Sequence, residues 1–189
     1  HSELAPYLNR ALQDGRPVLT DLHVCTVDPS PHISVITPLF SPGRDDPRPL
    51  GALVLMSDAR EFLYPLIQSW PVPSQSAETL LVKRDGDDVL FLNDLRHQAH
   101  TALTLRIPLS HTDVPAVMAV LGREGVLTGK DYRGVDVIAF TESIPDSPWS
   151  MVAKVDAEEA LAGFRREGAL LLGLLFALVG VAVACVLVI

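Results

Sequence analysis

The last 22 residues of the chain, 168–189, form an apolar stretch without a charged residue, Asn, Gln or Pro. As an α-helix with a rise of 1.5 Å per residue, this stretch would be about 30 Å long, which matches the hydrocarbon core of a bilayer. The alternative is a helix buried in a soluble domain, but such a helix normally keeps a polar face, and this stretch has none. The sequence therefore predicts a transmembrane helix at residues 168–189, preceded by a domain held at a membrane surface.

Charge and cysteine content narrow the possible partners of the rest of the chain. The net charge is −8 at pH 7 and the isoelectric point is near 5.1, so we expect no basic surface for the phosphates of a nucleic acid. The same negative charge disfavours docking on anionic lipid. Cys25 and Cys185 cannot pair, because Cys185 lies inside the predicted span. We therefore expect no nucleic-acid partner and no internal disulfide.

The two ends of the sequence indicate that it belongs to a longer protein, and the residues that flank the predicted span bear on its orientation in the membrane. Residue 1 is His rather than Met, no signal peptide is present, and the chain stops within the apolar stretch, so we expect it to be a piece of a longer protein. Arg165 and Arg166 flank the predicted span, and the positive-inside rule alone would place that flank in the cytoplasm. Because large folded domains are translocated largely regardless of charge, this rule does not exclude an extracytoplasmic location for the domain.

Hydrophobic periodicity divides the remaining sequence into two blocks of helices and strands. In the first block, apolar residues at helical spacing predict a helix at Glu3–Asp14, which Gly15 would end. A second helix is predicted at Asp58–Trp70, kinked or ended near Pro65. Between these helices the sequence predicts three strands rich in Val, Ile and Leu: Pro17–Leu22, Ile33–Phe40 and Leu50–Met56.

The second block follows a linker that begins at Pro71. It has one predicted internal helix, Val114–Gly122, with Pro115 in the first turn. Its predicted strands are Glu78–Lys83 and Val89–Asn93, which form a hairpin, then Leu103–Leu109, Val126–Thr128, Val135–Thr141 and Trp149–Val155. A last helix, Asp156–Glu167, runs into the predicted span without a helix-breaking residue.

The two blocks resemble each other in sequence and in order. Ala11–Thr20 is similar to Val120–Thr128, Ile33–Leu39 to Val135–Thr141, and Leu50–Leu63 to Ser150–Leu161. Similar units in the same order indicate a duplication, although apolar strands can also be alike by chance. The second copy carries residues 78–112 before its helix, and the first copy has no equivalent. We therefore expect the first copy to lack its opening hairpin.

This order of elements predicts an α+β fold with a five-stranded antiparallel sheet and helices on one face, rather than a βαβ fold. Several spaced elements resemble the closing half of a Cache domain: Gly129–Ala139, Ile144-Pro145, Pro148-Trp149, and Val152–Asp156 with Glu158, Glu159 and Ala160. Cache domains are PAS-like extracytoplasmic sensor modules of bacterial receptors. The duplication resembles the double-Cache arrangement, in which the second module lies next to the membrane.

The resemblance covers the second block well and the first block only in its latter half. It implies an incomplete membrane-distal module at residues 1–70, a membrane-proximal module at 71–156, an exit helix at 157–167 and the transmembrane helix at 168–189. It further implies the sensor region of a histidine kinase, a cyclic-dinucleotide enzyme or a chemoreceptor. The soluble part would be extracytoplasmic, the anchor would lie in the bacterial inner membrane, and an output domain would follow Ile189.

The function implied by this resemblance is ligand sensing, with the ligand state passed through the exit helix to the output domain. Receptors of this type work as homodimers, and the small residues Gly173 and Ala177 would permit close packing of two membrane helices. Two alternatives remain open. One is an anchored module that binds a partner protein without a small molecule, which a closed apolar pocket would favour. The other is a membrane-tethered enzyme whose catalytic residues lie outside this sequence.

Catalysis and metal binding find little support in the sequence. The motifs HExxH, GxSxG and GxxxxGK are absent, so we expect neither enzymatic activity nor a cofactor in this stretch. His97, His100 and His111 make a metal site conceivable. A polar surface loop explains these histidines better, so we expect no metal.

Four residues of the second module are candidates for ligand contact. Arg106 is a charge on an otherwise apolar strand and could clamp a carboxylate bidentately, although it could also be a surface arginine. Asp131, Tyr132 and Arg133 lie together between two predicted strands, where they could reach a pocket rim or form a plain turn. In PAS-like sensors the pocket lies between the sheet and the helices and loops that cross it. In double-Cache receptors the ligand usually sits in the distal module, so its identity and its module stay open.

Overall fold

A computed structural model describes residues 4–24, 30–42, 48–162, 172, 173 and 175. The described backbone forms two antiparallel β-sheets with helices packed against them. This confirms the predicted α+β class with antiparallel sheets. The sheets follow each other along the chain, so residues 4–68 are called the first unit and residues 78–156 the second unit.

The first unit is built around one long strand, β3. Its elements are α1 (Ala5–Asp14), β1 (Val18–Leu19), β2 (His23–Val24), β3 (Pro31–Phe40), β4 (Pro49–Asp58) and α2 (Leu63–Gln68). One edge of β3 pairs with β4 along nearly its whole length, and the opposite edge pairs with β2 and then with β1. As predicted, α1 ends at Gly15, whose φ of 63° is left-handed backbone that glycine adopts at little cost.

The second unit is a six-stranded antiparallel sheet with strand order β7-β6-β5-β10-β9-β8. Its elements are β5 (Glu78–Asp85), β6 (Asp88–Phe91), β7 (Arg106–Pro108), α3 (Pro115–Val120), β8 (Gly125–Lys130), β9 (Asp136–Ser143) and β10 (Trp149–Asp156). β5 and β6 form the predicted hairpin. β8, β9 and β10 form the predicted closing meander, and β10 joins the two halves of the sheet by pairing with β5.

The prediction of five strands was wrong by one, because the short edge strand β7 also joins the sheet. The predicted strand Leu103–Leu109 is itself shorter than expected. Leu103 has a left-handed φ of 57°, and the amide of Leu105 donates to the carbonyl oxygen of Thr101. These turn contacts displace regular ladder hydrogen bonds, so pairing in register begins only at Arg106.

The second predicted helix also starts later than expected. Asp58 is the last residue of β4, and residues 59–62 form a turn before α2 begins at Leu63. Pro65 is the third helical residue, where an N–H would have no intrahelical acceptor, so its ring neither kinks nor ends the helix. α2 instead ends at Ser69, which is extended, with φ −70° and ψ 122°.

The two faces of the second sheet pack against different partners. One face carries α3, and the buried apolar residues on that side include Val82, Phe91, Val117 and Val152. The other face carries the first unit, and the buried residues there include Leu22, Tyr64, Leu81, Leu92 and Trp149. Because successive side chains of a strand point to opposite faces, β5 contributes to both cores. The second sheet is therefore covered on both sides.

Strand β4 has much less cover. Apart from β3, it pairs with no strand of the described residues, and Leu50, Leu55 and Met56 are 70%, 59% and 53% exposed. An unbroken apolar run is typical of a strand that is buried on both faces.

The chain leaves the second sheet as a helix. Residues 157–162 are helical directly after β10, which agrees with the start of the predicted exit helix. Of the predicted span at residues 168–189, the described residues are Leu172, Gly173 and Leu175, which are helical; the rest lies outside the described residues. No helix within the described residues is long and apolar enough to cross a membrane, and the span remains a prediction.

Candidate functional site

The turn between β8 and β9 gathers three of the four predicted ligand residues. The carboxylate of Asp131 accepts hydrogen bonds from the backbone amides of Arg133, at 2.8 Å, and Val135, at 3.3 Å. Gly134, with a φ of 77°, allows the chain to reverse direction at this point. These local bonds hold Asp131 against the sheet, where it is 5% exposed.

A buried lysine lies at the centre of the site. Lys154 of β10 is 1% exposed, and its Nζ lies 2.9 Å from Glu78 Oε2 and 2.8 Å from Asp131 Oδ2. Lys154 and Glu78 meet because they are register partners across β10 and β5. Two carboxylates compensate the buried ammonium, which would otherwise be very costly to remove from water.

Arg133 closes the outer side of this cluster. Its Nε donates to Asp131 Oδ2 at 2.7 Å, and its guanidinium also bonds the carboxylate of Asp156. Burial alone would raise the pKa of Asp131, but the hydrogen bonds from Lys154 and Arg133 outweigh it and lower that pKa. Asp131 is therefore ionised at neutral pH.

Tyr132 packs its ring against the cluster and binds it with its hydroxyl. The Tyr132 hydroxyl donates to Glu78 Oε2 at 3.1 Å, and Lys154 Nζ lies 5.0 Å from the ring centroid. The ring also makes an edge-to-face contact with Phe91, with centroids 6.3 Å apart. Burial and the adjacent Glu78 carboxylate raise the pKa of Tyr132 above its usual range, so the hydroxyl stays protonated.

The space expected for a ligand, between the second sheet and α3, is almost filled. The cavity there has a volume of about 10 Å³ and is lined by apolar side chains of both elements together with Tyr132 and Lys154. A cavity of this size holds about one water molecule. In this conformation the space is too small for an amino acid or any larger ligand.

The structure separates Arg106 from the other three predicted residues. Arg106 is the register partner of Leu90, which belongs to the core against the first unit, whereas Ile107 packs in the core under α3. Its guanidinium binds the Asp85 carboxylate at 2.9 Å, and both side chains are 45% exposed. Arg106 does line an open groove of about 400 Å³ that also reaches Asp131 and Tyr132. Its charged end, however, is engaged in a surface ion pair.

A larger pocket, of about 550 Å³, lies where the segment after α2 meets the second sheet. Trp70, Val72, Asp94 and Arg96 are among its lining residues. The volume lies within the range of small-molecule sites, which often form at junctions between domains. This junction pocket is more enclosed than the groove beside Arg106.

The two units are joined by a polar contact as well as by their shared core. Asp21, after β1, accepts a hydrogen bond from Trp149 Nε1 at 2.7 Å through one oxygen and forms an ion pair with Lys83 through the other. Trp149 lies in the core against the first unit, with its indole N–H satisfied by Asp21.

Sequence reasoning missed Glu78 and Lys154. Strand alternation carried a signal for both, since Glu78 stands two residues before Leu80, and Lys154 two residues after Val152. Charged residues at inward positions of two strands are candidates for a buried pair. Among the described residues, no group of three or more His, Cys, Asp or Glu side chains is arranged to hold a metal ion.

No family model and no curated protein matches the chain. Its fold is similar to the extracellular domains of two histidine kinase candidates. For mmHK1S-Z3 the TM-score is 0.59, the sequence identity is 18% and 88% of this chain is covered. For mmHK1S-Z2 the TM-score is 0.56, the sequence identity is 22% and 85% of this chain is covered. It is also similar to the ligand-binding domain of the Pseudomonas aeruginosa PAO1 amino acid chemoreceptor PctB in complex with L-Arg. The TM-score is 0.55, the sequence identity is 17% and 83% of this chain is covered. The chain spans 58% of the length of each kinase structure and 61% of the PctB structure. The described residues thus share the fold of extracellular sensor domains.

Proposed function

We propose that the chain is the ligand-sensing, extracytoplasmic region of a bacterial membrane receptor, anchored by residues 168–189. The observation that carries this proposal is the fold, which is shared with extracellular and ligand-binding domains of receptors over most of the chain. A supporting feature is the direct junction of β10 with the helix at residues 157–162, which precedes the apolar stretch. A displacement of β10 would pass into this helix without an intervening loop.

A small molecule of the amino acid class is the first ligand to test, because PctB is an amino acid chemoreceptor bound to L-Arg. We place the ligand outside the space under α3. Asp131, Tyr132 and Arg133 are occupied by one another and by Glu78 and Lys154, and the cavity beside them is about 10 Å³. We place the ligand in the first module or in the junction pocket, where Trp70 can serve as a fluorescent reporter.

A thermal-shift screen of the chain against amino acids, small carboxylates, amines and sugars tests this function. A ligand that binds the native state raises the melting temperature by mass action. We expect a ligand-specific rise that persists in Tyr132→Phe and Arg106→Ala. A rise abolished by either substitution would place the ligand at the residues predicted from sequence. No rise with any compound, from a chain shown to be folded by circular dichroism, would contradict ligand sensing.

A second candidate is a module that binds a partner protein without a small molecule. The closed, mainly apolar cavity in the second unit and the exposed apolar residues of β4 favour it. The same screen separates the candidates, because partner binding predicts no thermal shift with any small molecule.

A further inference from the structure

The segment that joins the two units, residues 73–77, is bound to the helix that leaves the second unit. Glu159, in this helix, accepts four hydrogen bonds from the segment. Its Oε1 accepts from the Ser74 hydroxyl at 2.8 Å and from the Gln75 amide at 3.0 Å. Its Oε2 accepts from the Ser76 amide at 2.9 Å and from the Ser76 hydroxyl. One carboxylate therefore ties together parts of the chain that are more than 80 residues apart.

The joining segment is shaped in advance to hold this carboxylate. The Ser74 hydroxyl accepts from the amide of Ala77 at 2.9 Å, which bends the segment into a turn with its amides on one side. On the other side, Arg96 donates to the carbonyl oxygens of Ala77 at 2.7 Å and Ser74 at 2.9 Å. The amides thus point to Glu159 and the carbonyls to Arg96, so both sides of the segment are bonded.

The start of the helix depends on the same contact. The backbone amide of Asp156, the last residue of β10, donates to the Ser76 hydroxyl at 3.0 Å, and this hydroxyl donates in turn to Glu159. A helix leaves its first amides without intrahelical partners, and a Glu in the first turn is favoured there by the helix dipole. Ser76 therefore takes part in capping the exit helix, although it belongs to the joining segment.

The bonds from Ser76 and Ser74 lower the pKa of Glu159 to about 2. Glu159 is therefore ionised at physiological pH, as an acceptor of these four hydrogen bonds must be. The neighbouring Glu158 is exposed, and the structure assigns its carboxylate no hydrogen bond to any described residue. Of these two adjacent acids of one helix, only Glu159 contacts the joining segment.

We propose that Glu159 is a latch that couples the joining segment to the exit helix, so that a movement of the first unit reaches the helix through residues 74–76. A second connection runs through β10, where Trp149 bonds Asp21 of the first unit, but Glu159 is the residue that joins the connecting segment directly to the helix. This inference rests on the proposed function in one point, that the exit helix carries the signal to an output domain. The contact itself is a property of the ligand-free chain.

Hydrogen–deuterium exchange of the ligand-free chain, read in peptides covering residues 74–77 and 157–162, tests the latch. In Glu159→Gln one carboxylate oxygen becomes an amide donor that faces the donors of the joining segment, so we expect exchange in both peptides to rise about tenfold. Glu158→Gln is the matched control and should exchange as the wild type does. Ser74→Ala removes one donor to Glu159 and also the acceptor of the Ala77 amide, so its smaller rise is read at residues 157–162 alone. Equal exchange in the two glutamine variants would overturn the proposal.

Coupling, as distinct from local stability, is tested with a second substitution. Pro73→Gly loosens the exposed start of the joining segment. We expect it to raise exchange at residues 157–162 in the wild-type background and to have no further effect in Glu159→Gln, because residues that act through one contact are not additive. Additive effects of Pro73→Gly and Glu159→Gln would show that the helix does not receive the movement through Glu159. Because no ligand is used, either result is independent of the ligand screen.

Discussion

The last strand of each unit, β4 and β10, occupies the same place in the sequence repeat, yet the two strands have opposite surroundings. When Asp58 is aligned with Asp156, Val54 corresponds to Val152 and Met56 to Lys154. Val54 and Met56 are 43% and 53% exposed, whereas Val152 and Lys154 are 0% and 1% exposed. The more apolar strand is therefore the more exposed one.

The difference shows that burial here is decided by neighbouring strands rather than by composition. β10 pairs with β9 on one edge and β5 on the other, and α3 packs across it. β4 pairs with β3 alone among the described residues. A strand with two partners and a helix can bury even a lysine if carboxylates accompany it, while a strand with one partner leaves its valine and methionine in water.

Replacing the buried lysine should have the largest effect. Lys154→Met removes the ammonium that compensates Glu78 and Asp131. Breaking a buried pair by removing one partner typically costs about 3–5 kcal/mol. Urea denaturation should show a loss of this size, whereas Lys130→Met, which breaks the exposed pair with Asp136, should cost less than about 1 kcal/mol. Similar losses in the two variants would mean that the cluster is not buried in solution.

The equivalent valines provide the most direct comparison of the two strands. Val152→Ala removes methyl groups from a closed core and should lower the free energy of unfolding by about 2 kcal/mol. Val54→Ala, at the corresponding exposed position, should change it by no more than about 0.5 kcal/mol. Both values can be measured by urea denaturation. A loss in Val54→Ala as large as that in Val152→Ala would indicate that β4 is covered in solution.

Acidification should weaken the second unit through Asp131. The pKa of this carboxyl is lowered in the folded state from its usual value of 3.8, so its contribution to stability is present above that value and is lost as the pH falls through the lower, folded pKa. The free energy of unfolding should therefore decrease below about pH 4. In Asp131→Asn the titration is removed, and the decrease should be shallower. An identical pH profile for the variant would show that Asp131 is not held by Lys154 and Arg133.

Sequence pattern predicted the strands of the meander because inward and outward residues alternate along each of them. It also predicted that Asp131, Tyr132 and Arg133 lie together, since they are consecutive. Pattern could not predict the face on which Arg106 lies, because a shift of one residue reverses every side chain of a strand. The contact of Glu159 with the joining segment was also hidden, since it depends on how two distant parts of the chain pack.

A charge placed on β4, whose second edge is unpaired among the described residues, should have a small effect on stability and a clear effect on association. β4 carries no charged residue between Pro49 and Ser57, and unprotected apolar edges are prone to pair with other chains. Val54→Lys places a charge at a position that is already 43% exposed, so it should change the free energy of unfolding by no more than about 0.5 kcal/mol. Sedimentation velocity should show concentration-dependent association of the wild-type chain that is reduced in Val54→Lys and unchanged in Thr128→Lys, a control in the edge strand of the other sheet. If Val54→Lys instead destabilised the fold by several kcal/mol, β4 would be covered in the free chain. The two strands would then both be buried and would differ only in what covers them.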